Sequence, residues 1–114
     1  MKNKVMNYRE VAMDLKADVN SLIWDWSLPV SEVEFKTLYN LVYYLDTFLL
    51  RCLDDKGNLT NKLWIQKKLM MCVVFLGSTK RHELQRILSK VIAFEDLIYR
   101  GEISDKRNKN SDSE

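Results

Sequence analysis

The sequence contains little glycine or proline, only three and one among 114 residues. Because tight turns and multi-stranded β folds depend on these residues, their scarcity argues against long irregular loops and an all-β architecture. The apolar fraction of 46% and the charged fraction of 30% are those of a folded chain rather than a disordered one. A chain of this length is expected to form one domain around one modest core.

Cysteine and long apolar runs are also scarce. The only cysteines, Cys52 and Cys72, each lie on the apolar side of a predicted helix, and we interpret them as buried free thiols in a reducing compartment. The longest apolar run, residues 69–76, is far shorter than the roughly 20 residues of a membrane span. No apolar segment follows the basic N-terminus, so no signal peptide is predicted. We therefore expect an intracellular protein that does not enter a membrane.

Apolar residues recur at steps of three and four in four segments, which predicts an all-α bundle. These segments span residues 8–23, 31–53, 61–76 and 80–100. The second exceeds twenty residues and could be split, which would give four to five helices. Ser31 and Glu34 predict a capping box at its start. Asn58 or Thr60 is expected to cap the third helix, and Ser78 or Thr79 the fourth.

The third helix is apolar on nearly all sides and is therefore expected to be the central element. Its predicted inner stripe consists of Ile65, Leu69, Cys72, Val73 and Leu76. We expect Val73→Asp to unfold the domain, because it would place an unpaired charge in the core. The same surplus of apolar surface allows an alternative, a homodimeric structural subunit whose second copy covers it.

The composition changes after Gly101, which is predicted to end the fourth helix. Residues 102–114 are polar and charged, with Ile103 as the only apolar residue. The sequence therefore predicts a helical bundle over residues 1–101 and a disordered polar tail over residues 102–114.

Catalytic signatures are missing. His82, the only histidine, falls in a charged first helical turn, without a second histidine, cysteine or carboxylate at metal-ligand spacing. There is no glycine-rich phosphate loop and no nucleophile elbow. Asp54 and Asp55 precede Gly57 and are typical of a turn. No enzymatic activity, catalytic residue, metal or cofactor is expected.

Basic residues on the third and fourth segments form one candidate surface, which could meet the phosphates of a nucleic acid. Its members are Lys62, Lys67, Lys68, Lys80, Arg81, Arg86 and Lys90. The alternative interpretation is two solvated helix faces. An exposed aromatic residue would favour nucleic-acid binding, and only Trp64 is placed to provide one.

Two predicted loops form the other candidate surface. Trp24 and Trp26 flank Asp25 where the first helix ends. Both tryptophans could be structural, with Trp26 closing the core. They could equally anchor a partner protein while Asp25 accepts hydrogen bonds from its backbone. At the end of the third helix, Phe75 lies off the inner stripe and is followed by Gly77, so Phe75 is expected to be partly exposed.

From about residue 11 to residue 102, the sequence resembles the helical domains typified by the N-terminal domain of the transcription elongation factor TFIIS and the integrase-binding domain of the chromatin tether LEDGF. The resemblance rests on the order of helices and on residues 20–25, 75–78, 83, 88 and 101–102. It implies that a disordered partner segment containing phenylalanine lies across the two loops. Asp25 would then hold the partner backbone, between apolar walls formed by Trp24 and Phe75. The chain departs from the family at Gly77, where an apolar side chain is expected, and in the longer, stiffer loop at residues 26–29.

Three functions follow from these observations. The first is a protein–protein interaction module, an adaptor or scaffold that docks a disordered segment, which the resemblance would place in transcription or chromatin and in the nucleus. Without the resemblance, a cytoplasmic location is expected. The second is a small nucleic-acid-binding protein, and the third is the homodimeric subunit.

Overall fold

The computed structural model describes residues 7–25, 27–28 and 30–112, with side chains described up to residue 100. Four helices make up its regular structure: α1 (Tyr8–Ile23), α2 (Glu32–Arg51), α3 (Lys62–Leu76) and α4 (His82–Asp112). The all-α bundle predicted from the periodicity is confirmed, and α2 is continuous, so the bundle has four helices. None of these described helices combines the length and the apolar character needed to cross a membrane.

Local hydrogen bonds explain where α2 begins. The Ser31 hydroxyl accepts a hydrogen bond from the Glu34 backbone N–H at 3.1 Å, and the Glu34 carboxylate accepts one from the Ser31 N–H at 2.8 Å. The predicted capping box is therefore confirmed.

The turn between α2 and α3 is built around Asp54. Its carboxylate accepts hydrogen bonds from the backbone N–H groups of Lys56 and Asn58, both at 2.9 Å, and Gly57 adopts a φ of 86°. The predicted turn is confirmed, since only glycine adopts that φ at little cost. The caps predicted for α3 are wrong, because the residue before α3 is Asn61 and its side chain makes no capping hydrogen bond.

Each helix packs against two neighbours, in the cyclic order α1, α2, α3, α4. The ion pairs Lys16–Asp46 and Asp18–Lys90 join α1 to α2 and to α4. Together with short connections, these contacts define an up-and-down bundle of antiparallel neighbours. The α1–α2 and α3–α4 loops consequently lie at the same end of the bundle, and α1 and α3 occupy diagonal corners.

The bundle centre is filled by side chains from all four helices. Phe48 of α2 and Phe94 of α4 meet there edge to face, with ring centroids 5.2 Å apart and planes at 84°. Both rings are completely buried. This contact links the two helices that lie on the other diagonal of the bundle.

The prediction that α3 is the central element is wrong. Its core stripe is Ile65, Leu69, Cys72 and Leu76, whereas Val73 packs only partly buried against the core. A ring of four helices gives each helix only two neighbours, so an apolar helix at one corner keeps its outer side exposed. Val73→Asp is consequently not expected to place a charge at the centre of the core.

The fourth helix also departs from expectation, because its backbone continues through Gly101 to Asp112. The sequence predicted a helix end at Gly101 and disorder beyond it. A single internal glycine costs only about 1 kcal/mol relative to alanine, and no proline follows to stop the helix. Whether residues 102–114 contribute to stability stays a prediction, namely that their deletion leaves the melting temperature nearly unchanged.

A small polar network ties the start of α2 to the α3–α4 loop. The Glu34 carboxylate accepts hydrogen bonds from the Arg81 guanidinium at 3.0 Å and from the Thr79 hydroxyl at 3.0 Å. The backbone N–H of Ser31 is the largest cause of the lowered pKa of Glu34, and Arg81 and Thr79 add to it. Since all three partners favour the charged carboxylate, Glu34 stabilises the fold in its ionised form.

We expect Glu34→Gln to lower the melting temperature at pH 7 but not at acidic pH. A depressed pKa in the folded state stabilises the protein above the unfolded pKa, near 4.5, and this contribution disappears as the pH falls through the folded pKa. Because the Glu34–Arg81 ion pair is partly exposed, the variant should lose no more than about 1 kcal/mol of its free energy of unfolding. Thermal melts of both proteins between pH 3 and 7 measure this, and a constant difference across that range would contradict it.

Candidate protein-binding site

The first predicted loop has its own local structure. Trp24 is the residue after α1 and its side chain is 66% exposed. The Asp25 carboxylate accepts hydrogen bonds from the Ser27 hydroxyl at 2.6 Å and the Ser27 backbone N–H at 3.0 Å, and these lower the pKa of Asp25. Asp25 therefore organises the turn after α1. Trp26 lies outside the described residues.

The second predicted loop begins with Phe75 in the last turn of α3. As expected from its position off the inner stripe, Phe75 is about half exposed. Gly77 has an ordinary right-handed φ of −66°, and its N–H donates to the Val73 carbonyl at 2.8 Å. A Cβ at residue 77 would lie 3.0 Å from that carbonyl oxygen. Glycine therefore suits the position because of this close approach, not because of a left-handed backbone.

The structure gives the two loops different neighbours. Phe75 borders the same cavities as Val33 and Thr37 of α2, whereas the described hydrogen bonds of the Asp25 carboxylate are to Ser27. Although both loops lie at one end of the bundle, they belong to the diagonal corners α1 and α3. Docking of one partner segment across both loops stays a prediction.

The predicted basic surface is spread over several sides of the bundle. Lys68 faces α2, Arg81 pairs with Glu34 at the bundle end, and Lys90 pairs with Asp18 on the α1–α4 side. The remaining four residues are Lys62, half-buried at the start of α3, and the exposed Lys67, Lys80 and Arg86. The seven residues therefore do not form one continuous cluster, and nucleic-acid binding stays a prediction.

The two cysteine thiols are buried in the core, where they are poorly reactive. Cys52 and Cys72 are buried free thiols, as predicted. Burial raises the pKa of Cys72 to about 11, so this thiol is protonated at neutral pH and is a poor nucleophile.

His82 is exposed at the first position of α4. Within the described ranges, no three histidine, cysteine, aspartate or glutamate side chains group as metal ligands would.

The solvent-facing side of α3 exposes several large apolar side chains. We call it the α3 outer face, and its apolar side chains are between 49% and 69% exposed. They are Leu63, Met70, Met71, Val74 and Phe75. Their steps of three and four place them along one side of the helix. Soluble monomers rarely expose large contiguous apolar patches, which mark interaction sites.

A groove between α2 and α3 adjoins this face. It encloses a cavity of about 290 Å³, and it is continuous through Val33, Thr37 and Phe75 with a second cavity of about 210 Å³ beside the α3–α4 loop. The larger cavity is lined by Val33, Lys36, Thr37, Asn40, Tyr44, Met71, Cys72 and Phe75. We call this feature the α2–α3 groove. Its lining is mostly apolar, and the polar side chains in it include Lys36, Asn40 and the buried Thr37, whose hydroxyl donates to the Val33 carbonyl.

Aromatic contacts fix the other end of the groove. The rings of Tyr44 and Trp64 meet edge to face with centroids 6.1 Å apart, and the Lys68 ammonium lies 5.5 Å from the centre of the Tyr44 ring. The exposed rings of Phe35 and Tyr39 stack at 6.3 Å on the outer side of α2. The Tyr44–Trp64 contact therefore closes this end of the groove, whereas Phe35 and Tyr39 do not line it.

The groove residues Val33, Lys36 and Met71 were not among the predicted site residues. The indication in the sequence was that α3 is apolar on nearly all sides. This pattern is typical of either a buried helix or a helix at a dimer contact. Recognising the groove also required knowing that α2 and α3 are neighbours in an antiparallel arrangement.

Comparison with known proteins gives no family: no family model, no curated protein and no solved structure matches the chain. The resemblance to the TFIIS and LEDGF domains therefore stays a hypothesis based on the residues quoted for it. Since a helical bundle does not by itself imply a function, the exposed surface has to indicate it.

Proposed function

We propose that the protein is a protein–protein interaction module whose contact surface is the α3 outer face together with the α2–α3 groove. The observation that carries this proposal is the row of five exposed apolar side chains beside a groove. Complete burial of a fully exposed side chain of this kind is worth about 1.5–3 kcal/mol, and these side chains are 49–69% exposed, so covering each one is worth about half to two-thirds of that. A partner that covers the row therefore gains a large part of its binding free energy from these residues.

The shape of the site favours a segment that folds into a helix on binding. A groove between two antiparallel helices accepts an amphipathic helix, whose apolar residues at positions i, i+3, i+4 and i+7 point into it. A disordered partner segment of this kind agrees with the adaptor function expected from the sequence. Phe75 belongs both to this groove and to the predicted loop site, so a longer segment could extend over the α3–α4 loop. A role in transcription or chromatin, and a nuclear location, depend on the family resemblance.

Val74→Glu tests the proposal. Val74 is 69% exposed on the α3 outer face, so a glutamate there should leave the melting temperature nearly unchanged. It should weaken partner binding at least about tenfold, because a charge would be buried in an apolar contact. The matched control is Met13→Glu, since Met13 is 54% exposed on α1, at the opposite corner.

The measurement is a quantitative pull-down from an extract of the source cells with the wild-type, Val74→Glu and Met13→Glu proteins. Proteins retained by the wild type and by Met13→Glu but lost with Val74→Glu would support the proposal. Equal retention by all three proteins would contradict it.

A further inference from the structure

We propose that the occupant of the α2–α3 groove is an acidic amphipathic helix from a partner protein, with apolar residues on one face and aspartate or glutamate beside them. This inference deepens the proposed function and rests on it. It follows from the arrangement of charge around the apolar surface.

The charged side chains beside the groove are lysines. Lys36 lines the cavity on the α2 side, and Lys68 projects over Tyr44 from the α3 side. The whole of α3 contains three lysines and no acidic residue. The carboxylate at the groove end, Glu34, is already bound by Arg81 and Thr79. Among the residues that the structure describes, neither Lys36 nor Lys68 forms an ion pair with a carboxylate, so a segment lying in the groove meets two positive charges there.

The edge of the α3 outer face that lies towards α4 carries acidic side chains. There Met70 borders an open cavity of about 380 Å³ together with Glu95 and Asp96 of α4. Asp96 pairs with Arg100 at 2.9 Å, so Glu95 supplies the unpaired acidic charge among the described residues. An acidic segment would be repelled from this edge and attracted to the lysines on the α2 side. The two edges thus determine on which side of α3 such a segment lies.

A second copy of this chain fits the surface less well. Lys67 lies between Leu63 and Met71 in helical spacing, so it sits within the apolar face. A two-fold axis along α3 would bring Lys67 against Lys67 of the second copy. An axis across α3 would instead bring the edge with Lys36 and Lys68 against the same edge. The first arrangement places Lys67 against Lys67 inside the apolar contact, although it also brings the lysine edge of one copy against the Glu95 edge of the other. The second arrangement places two lysine edges together, whereas an acidic helix brings only opposite charges together.

The groove also sets the length of the occupant. Its α2 wall extends from Val33 to Tyr44, which is about 16 Å at 1.5 Å per helical residue. This distance accommodates three turns of a partner helix, with apolar residues directed at Met71 and Phe75. Carboxylates of the partner helix would then meet Lys36 beside the cavity and Lys68 near Tyr44.

A display library of helical peptides about 18 residues long tests this inference. Apolar residues are fixed at the i, i+3, i+4 and i+7 positions, and the remaining positions vary among Glu, Lys, Gln and Ser. Selection uses the wild-type chain, the variant Lys36→Glu/Lys68→Glu, and the control Arg9→Glu/Lys56→Glu. The control makes the same change in net charge at exposed positions away from the groove. Melting curves verify that all three proteins are folded.

We expect the wild-type chain and the control to enrich acidic peptides, and the groove variant to lose this preference. A selected acidic peptide should bind the groove variant at least about tenfold more weakly than the wild type. Enrichment of neutral or basic peptides that depend on Val74 would overturn the acidic partner but keep the proposed function. Failure to enrich any peptide would overturn the inference. A dimer detected by sedimentation, with Val74 in its contact, would also overturn it. So would selective binding of a single-stranded oligonucleotide that depends on Lys36 and Lys68.

Discussion

Leu69→Asp should abolish the cooperative unfolding transition of the protein. Leu69 is completely buried on the core stripe of α3. Truncation of a buried leucine to alanine already costs about 2–5 kcal/mol, and an unpaired buried carboxylate adds a desolvation penalty. The total is comparable with the 5–15 kcal/mol by which a domain is ordinarily stable. Far-UV circular dichroism during heating should show a largely unfolded chain.

Val73→Asp is the matched comparison for this prediction. It introduces the same side chain in the same helix, but at a position only partly buried against the core. We expect a folded protein with a lower melting temperature, because the carboxylate can turn towards water. If both variants unfold, the placement of Val73 at the margin of the core is wrong. If both remain folded, the assignment of Leu69 to the core is wrong.

Phe48→Ala should destabilise the protein by about 3–5 kcal/mol, since it removes a large ring from a fully buried position. The effect should be similar for Phe94→Ala, because the two rings contact each other across the bundle centre. Urea unfolding followed by circular dichroism measures the free energy of unfolding of each variant.

The double variant Phe48→Ala/Phe94→Ala tests the contact itself. Once one ring is gone, removal of the other loses no aromatic pair, which is worth about 0.5–1.5 kcal/mol beyond burial. The combined loss should therefore be smaller than the two single losses added together. Full additivity would mean that the rings do not interact across the α2–α4 diagonal.

The fold was predictable because its signals are local. Steps of three and four gave the helices, and Ser31 with Glu34 marked the start of α2 through hydrogen bonds between residues three apart. Gly101 was misleading for the same reason. A glycine marks a possible helix end, but its local cost does not decide whether the backbone continues as helix.

The position of α3 was not predictable from its composition. An apolar helix can be surrounded by other helices, covered by a partner, or left exposed at a corner, and the periodicity of its residues is the same in each case. Only the cyclic packing of the four helices shows that Met70 and Val74 face solvent.

The candidate site could be predicted only in part. The exposure of Phe75 followed from its position off the inner stripe, and the structure confirms it. The contribution of Val33 and Lys36 depends on α2 lying beside α3. It brings these residues next to Met71 and Phe75, about forty positions further along the chain, which the pattern of one helix does not show. The structure gives the Asp25 carboxylate a local partner, the hydroxyl and backbone N–H of Ser27.

Site-specific photo-crosslinking tests the central claim, that the α3 outer face binds another protein, most directly. A photoreactive phenylalanine analogue is placed at Val74 in one protein and at Met13 in another, and each is irradiated in an extract of the source cells. We predict a discrete adduct, heavier than the chain by the mass of one partner, from position 74 and not from position 13. Equal labelling from both positions, or no adduct from position 74, would contradict the account.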